Sequence, residues 1–275
     1  MLTLSLVLSF LVGISIGSFL NVLVFRLGTG EKITGRSACL SCGRVLGPFE
    51  LVPIFSFIFL RGRCFSCKSR LSWQYPLVEL ITGTLFAAIL YKLAILGRVH
   101  TNELVFYWVI TAILVSLAVY DLRHKILPDI LNSAFIILSF AKPFVIFRES
   151  PFMLPHIASG FALSLPFFLV WYLTSGRWVG FGDVKLLLGM GFFLGIFGGI
   201  AAVIIGCWLG AIVGLTLILC SKLVKKYPLV FKSSFYSGFG SKSEIPFGPF
   251  LIFGLLMAFL FDVSIFNIVP WSGII

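Results

Sequence analysis

Charged residues are scarce in this chain of 275 residues: Asp, Glu, Lys and Arg together make up 11% of it, and only ten residues are acidic. Soluble domains carry about 25% charged residues, so the chain lacks the polar side chains needed to cover a globule in water. The 59% hydrophobic content excludes a disordered chain, and six cysteines are too few for a disulfide scaffold. A mean hydropathy of +1.10 instead predicts a polytopic membrane protein.

The first apolar run also lacks a basic segment before it and a small-residue cleavage site after it, which predicts a retained span rather than a signal peptide. A helix needs about 20 apolar residues to cross a bilayer. The apolar runs are 4–25, 75–96, 104–121, 130–147, 154–175, 184–197, 199–221 and 246–268. The predicted fold is therefore all-α, with about eight transmembrane helices. Segment 184–221 leaves two interpretations open: one long bent helix, or two spans that turn at Gly195–Gly199.

Basic residues outnumber acidic ones by 21 to 10, and eight spans place most of them on one side of the membrane. The other side keeps only Lys92, Arg98, Lys142 and Arg148. Because short cytoplasmic loops are rich in Lys and Arg, both termini are predicted to face outward. The basic excess thus reflects topology, and no nucleic-acid partner is predicted.

Four cysteines form two CxxC pairs with 21 residues between them: Cys39, Cys42, Cys64 and Cys67. This spacing is typical of four thiolates around one tetrahedral Zn²⁺, and four sulfur ligands leave no open position for catalysis. Two disulfides are the alternative, disfavoured in a reducing compartment. A structural zinc would supply folding energy that so short a segment cannot obtain from a core of its own.

Three segments follow from these features: a first transmembrane helix at 1–25, a cytoplasmic four-cysteine zinc module at 26–74, and a seven-helix membrane domain at 75–275 that carries the candidate active site.

Two carboxylates fall at the same predicted membrane boundary. Asp121 ends the third span, and Asp183 follows Gly180 and Gly182 in a GxGD sequence where the sixth span begins. Two neighbouring carboxyl groups share a proton, so one can act as a base on water while the other protonates a peptide carbonyl. The glycines would allow close approach of a substrate backbone, and Lys185 is a further site-supporting candidate.

Structural roles are open for each acid. Asp183 could cap a helix, and Asp121 could pair with Arg123 or Lys125. Glu79 lies inside the second span, where an acid is costly and needs a partner. It is interpreted either as a substrate or active-site residue or as part of a structural ion pair. Asp129 is predicted to cap the fourth span.

Several stretches together resemble the bacterial type IV prepilin peptidases, the leader peptidase/N-methyltransferases of type IV pilus and type II secretion systems, within the GxGD intramembrane aspartyl proteases. The matching stretches are Gly17-Ser18-Phe19-Leu20-Asn21, the two CxxC pairs, Leu60-Arg61-Gly62-Arg63-Cys64, Tyr75-Pro76-Leu77-Val78-Glu79-Leu80, Asp121 with Leu127-Pro128-Asp129, and Gly180-Phe181-Gly182-Asp183-Val184-Lys185.

The resemblance implies a multi-pass protein of the bacterial inner membrane that cuts prepilin or pseudopilin leaders after a Gly on the cytoplasmic side. It also implies N-methylation of the new N-terminus with S-adenosylmethionine. Asp121 and Asp183 match the family's catalytic pair. No methyl-donor residues are assigned, and the oligomeric state and the particular pilins are left open.

Two other classes of function compete with a protease. An ion-coupled transporter could use intramembrane acids, but transporter carboxylates usually lie near the bilayer midplane and internal repeats are expected. A non-catalytic assembly factor with a zinc module is the other alternative.

Overall fold

The computed structural model describes residues 2–29, 35–146, 153–226 and 246–264. This part of the chain is nearly all helical, with two isolated β-bridges. Its α-helices are α1 (Leu2–Arg26), α2 (Phe55–Phe59), α3 (Gln74–Ile95), α4 (Thr101–His124), α5 (Asp129–Ile146), α6 (Met153–Thr174), α7 (Phe181–Lys226) and α8 (Gly248–Leu260), with a 3-10 turn at Pro48–Leu51.

Six of the described helices are long and apolar enough to cross a membrane: α1, α3, α4, α5, α6 and α7. The shorter α8 is also apolar. The predicted all-α polytopic fold is therefore confirmed. The predicted last span, 246–268, lies partly outside the described residues.

The chain forms two compact units, Met1–Tyr120 and Asp121–Ile275. The first contains α1, the cysteine-bearing segment, α2, α3 and most of α4. The second contains the end of α4 and helices α5 to α8. The functional segments 1–25, 26–74 and 75–275 stay a prediction, because they divide the chain by role rather than by contacts.

In the first unit, α1 and α3 pack closely through glycine. A Cβ added to Gly13 would lie 2.7 Å from the Cα of Gly83, and one added to Gly17 would lie 2.8 Å from the Cα of Glu79. Such small residues let two helix backbones approach each other within a membrane. Next to this contact, Leu20 and Val78 form a buried apolar cluster with Val115 of α4.

In the second unit, α7 consists of two helices joined at Gly195. The φ of 75° and ψ of −179° at this residue are not helical, and a positive φ is readily adopted only by glycine. The break therefore separates a first leg, 181–194, from a second leg, 196–226.

Contacts with α8 show how the two legs run. A Cβ added to Gly182 would lie 3.1 Å from Leu127, and one added to Gly248 would lie 3.2 Å from the same side chain. Two residues further into α8, the carbonyl of Phe250 would lie 2.8 Å from a Cβ on Gly206. A straight helix would separate Gly182 from Gly206 by about 36 Å, yet both lie near the start of α8. The chain therefore reverses at the break, as in the two-span interpretation of 184–221.

The end of the first leg leaves backbone carbonyls without helical partners. Side chains of α5 and α6 satisfy three of them: Ser159 donates to Gly191 over 2.8 Å, His156 hydrogen-bonds Phe192, and Lys142 donates to Phe193 over 2.7 Å. A cation at a helix C-terminus also interacts favourably with the helix dipole. The reversal is thus made possible by polar groups from neighbouring helices.

The glycine contact between α1 and α3 predicts a strong effect of a single methyl group. Gly17→Ala would place Cβ against the backbone of α3, which cannot move aside as a flexible side chain can, and overpacking of this kind costs about 1–3 kcal/mol. We expect a lower thermal unfolding midpoint in detergent.

Gly210→Ala is the matched control, because its Cβ would meet only ordinary contacts, the nearest at 3.4 Å from Phe250. Alanine also favours the helix by about 1 kcal/mol. Equal midpoints for the two variants would show that the α1–α3 approach is not tight.

Candidate functional site

Asp121 lies near the C-terminus of α4 and is only 4% exposed. Its Oδ2 accepts a hydrogen bond of 3.1 Å from the backbone N–H of Gly248, the first residue of α8. A Cβ on Gly248 would lie 2.6 Å from the same oxygen. A side chain at position 248 would therefore displace the carboxylate from this contact, and the positive end of the α8 dipole faces the carboxylate.

Asp183 lies in the first turn of α7, half-buried, and interacts electrostatically with Asp121. Its own N–H donates to the carbonyl of Gly180 over 3.1 Å, which fixes the entry into the helix. A Cβ on Gly180 would lie 3.4 Å from Oδ2 of Asp183. The structure thus brings together the two carboxylates that the sequence singles out. Their catalytic role stays a prediction.

The GxGD sequence is held in place by a residue that sequence reasoning missed. Asn132 of α5 is fully buried, and its Nδ2 donates to the carbonyl of Gly182 over 2.8 Å. An amide side chain inside an apolar run needs a polar partner, and that signal could have identified Asn132. Gly248 was visible in the sequence only as the glycine between two prolines at the start of the last span.

Lys185 forms an ion pair with Asp129. The contacts recorded for Lys185 among the described residues include neither candidate catalytic acid. Its Nζ lies 2.7 Å from Oδ1 of Asp129 and 4.8 Å from the centre of the Phe181 ring. Asp129 is the first residue of α5, so the pair joins the starts of α5 and α7. The Asp129 carboxylate is 74% exposed, and an exposed pair of this kind contributes little to stability.

Glu79 belongs to the first unit and is 6% exposed. Its Oε2 accepts a hydrogen bond of 2.7 Å from the backbone N–H of Ile54, and its carboxylate also bonds the side chain of Ser18. The side chain therefore connects α3 with α1 and with the residue that precedes α2.

The four module cysteines form one cluster. Their sulfur atoms all lie within 4.8 Å of one another, and Sγ of Cys39 is 3.8 Å from Sγ of Cys67. Zn–S bonds of about 2.3 Å in a tetrahedron require sulfur atoms about 3.8 Å apart. The donor set and its spacing therefore fit a metal ion, which confirms the predicted metal-binding cluster.

The two halves of the cluster have matching backbone turns. The N–H of Cys39 donates to the carbonyl of Arg44, and that of Cys64 donates to Ser69. The fourth residue after each of these cysteines has a positive φ: Gly43 at 71° and Lys68 at 57°. Each half thus bends tightly around the position that its sulfur atoms share.

Hydrogen bonds favour the thiolate form of two of the four cysteines, whereas burial and the neighbouring thiols raise the pKa of Cys42 to about 11. The N–H groups of Cys42 and Ser41 lower the pKa of Cys39 to about 6, and the hydroxyl and N–H of Ser69 lower the pKa of Cys67. Because only the thiolate binds a metal, these hydrogen bonds favour the binding form.

Two models of known protein families match different parts of the chain. The family model of the bacterial peptidase A24 N-terminal domain matches residues 11–93, which include all four clustered cysteines. The model of the type IV leader peptidase family matches residues 108–215, which include both Asp121 and Asp183.

Curated relatives match over most of the chain. A protein of Bacillus subtilis (strain 168) is 32% identical over 94% of this chain and 95% of its own length. One of Myxococcus xanthus (strain DK1622) is 35% identical over 77% of this chain and 63% of its own length. One of Pseudomonas aeruginosa is 27% identical, over 93% and 90%. Each is named a prepilin leader peptidase/N-methyltransferase.

No solved structure matches the chain. The family is nevertheless shown by the matches in sequence, and they agree with the helical membrane fold, the clustered cysteines and the paired carboxylates. The chain belongs to the type IV leader peptidase family of membrane-bound proteases.

Proposed function

We propose that this protein cleaves the leader of type IV prepilins or pseudopilins with Asp121 and Asp183 as the catalytic pair. The observation that carries the proposal is the electrostatic interaction between these two carboxylates, one near the end of α4 and the other at the start of α7. Family membership supplies the reaction class, and the names of the relatives supply the class of substrate.

Each carboxylate accepts a backbone hydrogen bond, Asp121 from the N–H of Gly248 and Asp183 from the N–H of Gly180. The pair shares one proton, so one carboxyl group is ionised while the other is protonated. The ionised group removes a proton from water as the water oxygen attacks the scissile carbonyl carbon, and the protonated group gives its proton to the carbonyl oxygen. When the tetrahedral species collapses, the first group gives its proton to the leaving nitrogen, the C–N bond breaks, and the hydroxyl proton returns to the second group.

Both acids lie close to helix ends: Asp121 is three residues from the end of α4, and Asp183 is the third residue of α7. A prepilin with a basic leader and an apolar helix would present its scissile bond at the boundary between water and lipid. This depth supports cleavage after glycine at the cytoplasmic face of the bacterial inner membrane, the location that the basic loops indicate. It also weighs against ion transport through midplane carboxylates.

N-methylation of the new N-terminus with S-adenosylmethionine is the second proposed activity. The relatives' names support it, and no residue of this chain is assigned to the methyl donor. We assign Zn²⁺ to the cysteine cluster in a structural role, because four thiolates fill the tetrahedral coordination that zinc favours.

Gly180, Gly182 and Lys185 are proposed to support the catalytic pair by shaping the entry into α7. Glu79 is proposed to support the cysteine segment, because it fixes the residue before α2 to α1 and α3.

The catalytic assignment predicts that Asp121→Asn and Asp183→Asn each reduce cleavage of a model prepilin by at least about 10²–10⁴-fold, the usual contribution of a general acid or base. The measurement is mass spectrometry of the product made by purified protein in lipid.

Asp262→Asn is the control, because Asn tolerates the positive φ of 50° at this position. We expect this variant to cleave the prepilin normally. Methylation of the product in the presence of S-adenosylmethionine would support the second activity. Full cleavage by either of the two catalytic variants would refute the aspartyl pair.

The metal assignment predicts that replacing all four cysteines of the cluster by serine removes the bound zinc and lowers the thermal unfolding midpoint. Metal content is measured by elemental analysis of the purified protein. Cys207→Ser with Cys220→Ser is the matched control, since neither residue belongs to the cluster. Unchanged metal content in the fourfold variant would exclude this site.

The role proposed for Glu79 predicts different results for two substitutions. Glu79→Ala leaves the Ile54 N–H without its acceptor, which costs about 1–3 kcal/mol when the group stays buried. Glu79→Gln retains an oxygen that can accept this hydrogen bond. We therefore expect hydrogen exchange around residue 54 to accelerate much more in the alanine variant. Equal exchange in both variants would contradict a role through this hydrogen bond.

A further inference from the structure

The short helix α2 presents large apolar side chains to its surroundings. Phe55, Ile58 and Phe59 are 53%, 64% and 83% exposed. Their spacing of three and four residues places them on one face of the helix. Phe57 points the other way, with its ring 4.9 Å from that of Trp73. An exposed apolar face of this kind is typical of a surface that meets lipid or a partner.

We propose that α2 and the basic turn after it form an interfacial anchor that binds the anionic phospholipid surface of the bilayer in which the chain is embedded. This inference concerns the first unit alone and does not depend on the catalytic assignment.

The first argument is depth. The N–H of Ile54, directly before α2, bonds the Glu79 carboxylate over 2.7 Å. Glu79 lies five residues into the membrane-spanning α3, which is about 7.5 Å along its axis. The same carboxylate bonds Ser18, eight residues before the end of α1, or about 12 Å from that end. The start of α2 is therefore held at a level inside two membrane-spanning helices.

The second argument is orientation. Ile54 and Arg61, on either side of α2, have positive φ values of 60° and 51°. At the C-terminal end, the N–H of Gly62 donates to Phe57 and that of Arg61 donates to Ile58, a pattern that closes a helix firmly. With both ends fixed, the apolar face has a defined direction relative to α1 and α3.

The third argument is charge. A cavity of about 490 Å³ follows α2 and is lined by Phe59, Leu60, Arg61, Arg63, Phe65 and Lys68. Segment 35–73 contains a single acidic residue, Glu50, which pairs with Arg44. The lining cations therefore lie where no carboxylate of the segment neutralises them. Guanidinium and ammonium groups beside an apolar face fit a phospholipid phosphate whose acyl chains lie next to it.

The proposal predicts that Phe59→Trp places the new indole in the bilayer interface. The full-length variant is reconstituted in nanodiscs of phosphatidylcholine and phosphatidylglycerol, and its fluorescence is compared with that of the unchanged protein. Brominated acyl chains should quench the added signal, whereas aqueous iodide should leave it unchanged. Phe161→Trp, on the exposed side of the membrane-spanning α6, is the positive control, and unchanged metal content verifies the cysteine cluster.

A second comparison tests the headgroup. In mixed discs, quenching should be stronger when phosphatidylglycerol carries the bromine than when phosphatidylcholine carries it, because the cations gather the anionic lipid beside α2. This difference should disappear when Arg61→Gln and Lys68→Gln are combined with Phe59→Trp.

Two results would overturn the anchor. One is quenching by iodide without quenching by brominated lipid, which would place α2 in water. The other is an indole that becomes shielded from iodide only when a prepilin is added, which would assign the face to the substrate. Quenching that is independent of lipid charge and of the two cations would refute the anionic headgroup site.

Discussion

Backbone groups inside a bilayer cannot hydrogen-bond to water, and this constraint limits where the chain of the second unit can reverse its direction. A chain can reverse within the membrane only if other parts of the protein satisfy the amides and carbonyls that the reversal releases. Just before Gly195, three backbone carbonyls accept hydrogen bonds from side chains of α5 and α6. One of these donors is the ammonium group of the buried Lys142. Because α7 can double back there, the first leg remains short and its start, with Asp183, lies near the beginning of α8.

In the first unit, two membrane-spanning helices pack closely, and one buried acid between them is satisfied by hydrogen bonds. Glycines remove the side chains between α1 and α3, so the two helices approach within backbone contact. Glu79 is embedded at this contact, where its charge would be costly without partners, and its two hydrogen bonds extend to α1 and to the start of α2. One buried acid thereby connects the segment that carries the cysteine cluster to two membrane-spanning helices.

Much of this could be predicted from the sequence because the signals are local. Hydropathy identifies the spans, the spacing of four cysteines identifies the metal cluster, and GxGD with Asp121 identifies the carboxylates. Contacts between distant residues could not be predicted in this way. The partner of Asp121 is a backbone amide 127 positions away, which no side-chain pattern encodes. In the sequence, Asn132 and Lys142 are isolated polar residues within apolar runs. Their partners could not be predicted, because the carbonyls that they bond become available only after the helices pack.

The hydrogen bond from Gly248 to Asp121 also has a consequence for biogenesis. The ribosome makes Asp121 and Asp183 well before the amide that completes their surroundings. A nascent chain with both acids already in the membrane therefore still lacks the group that stabilises charge on Asp121. The proposed proteolytic site matures only when α8 inserts, so a partly synthesised enzyme has little capacity to cut neighbouring membrane proteins while it is being assembled.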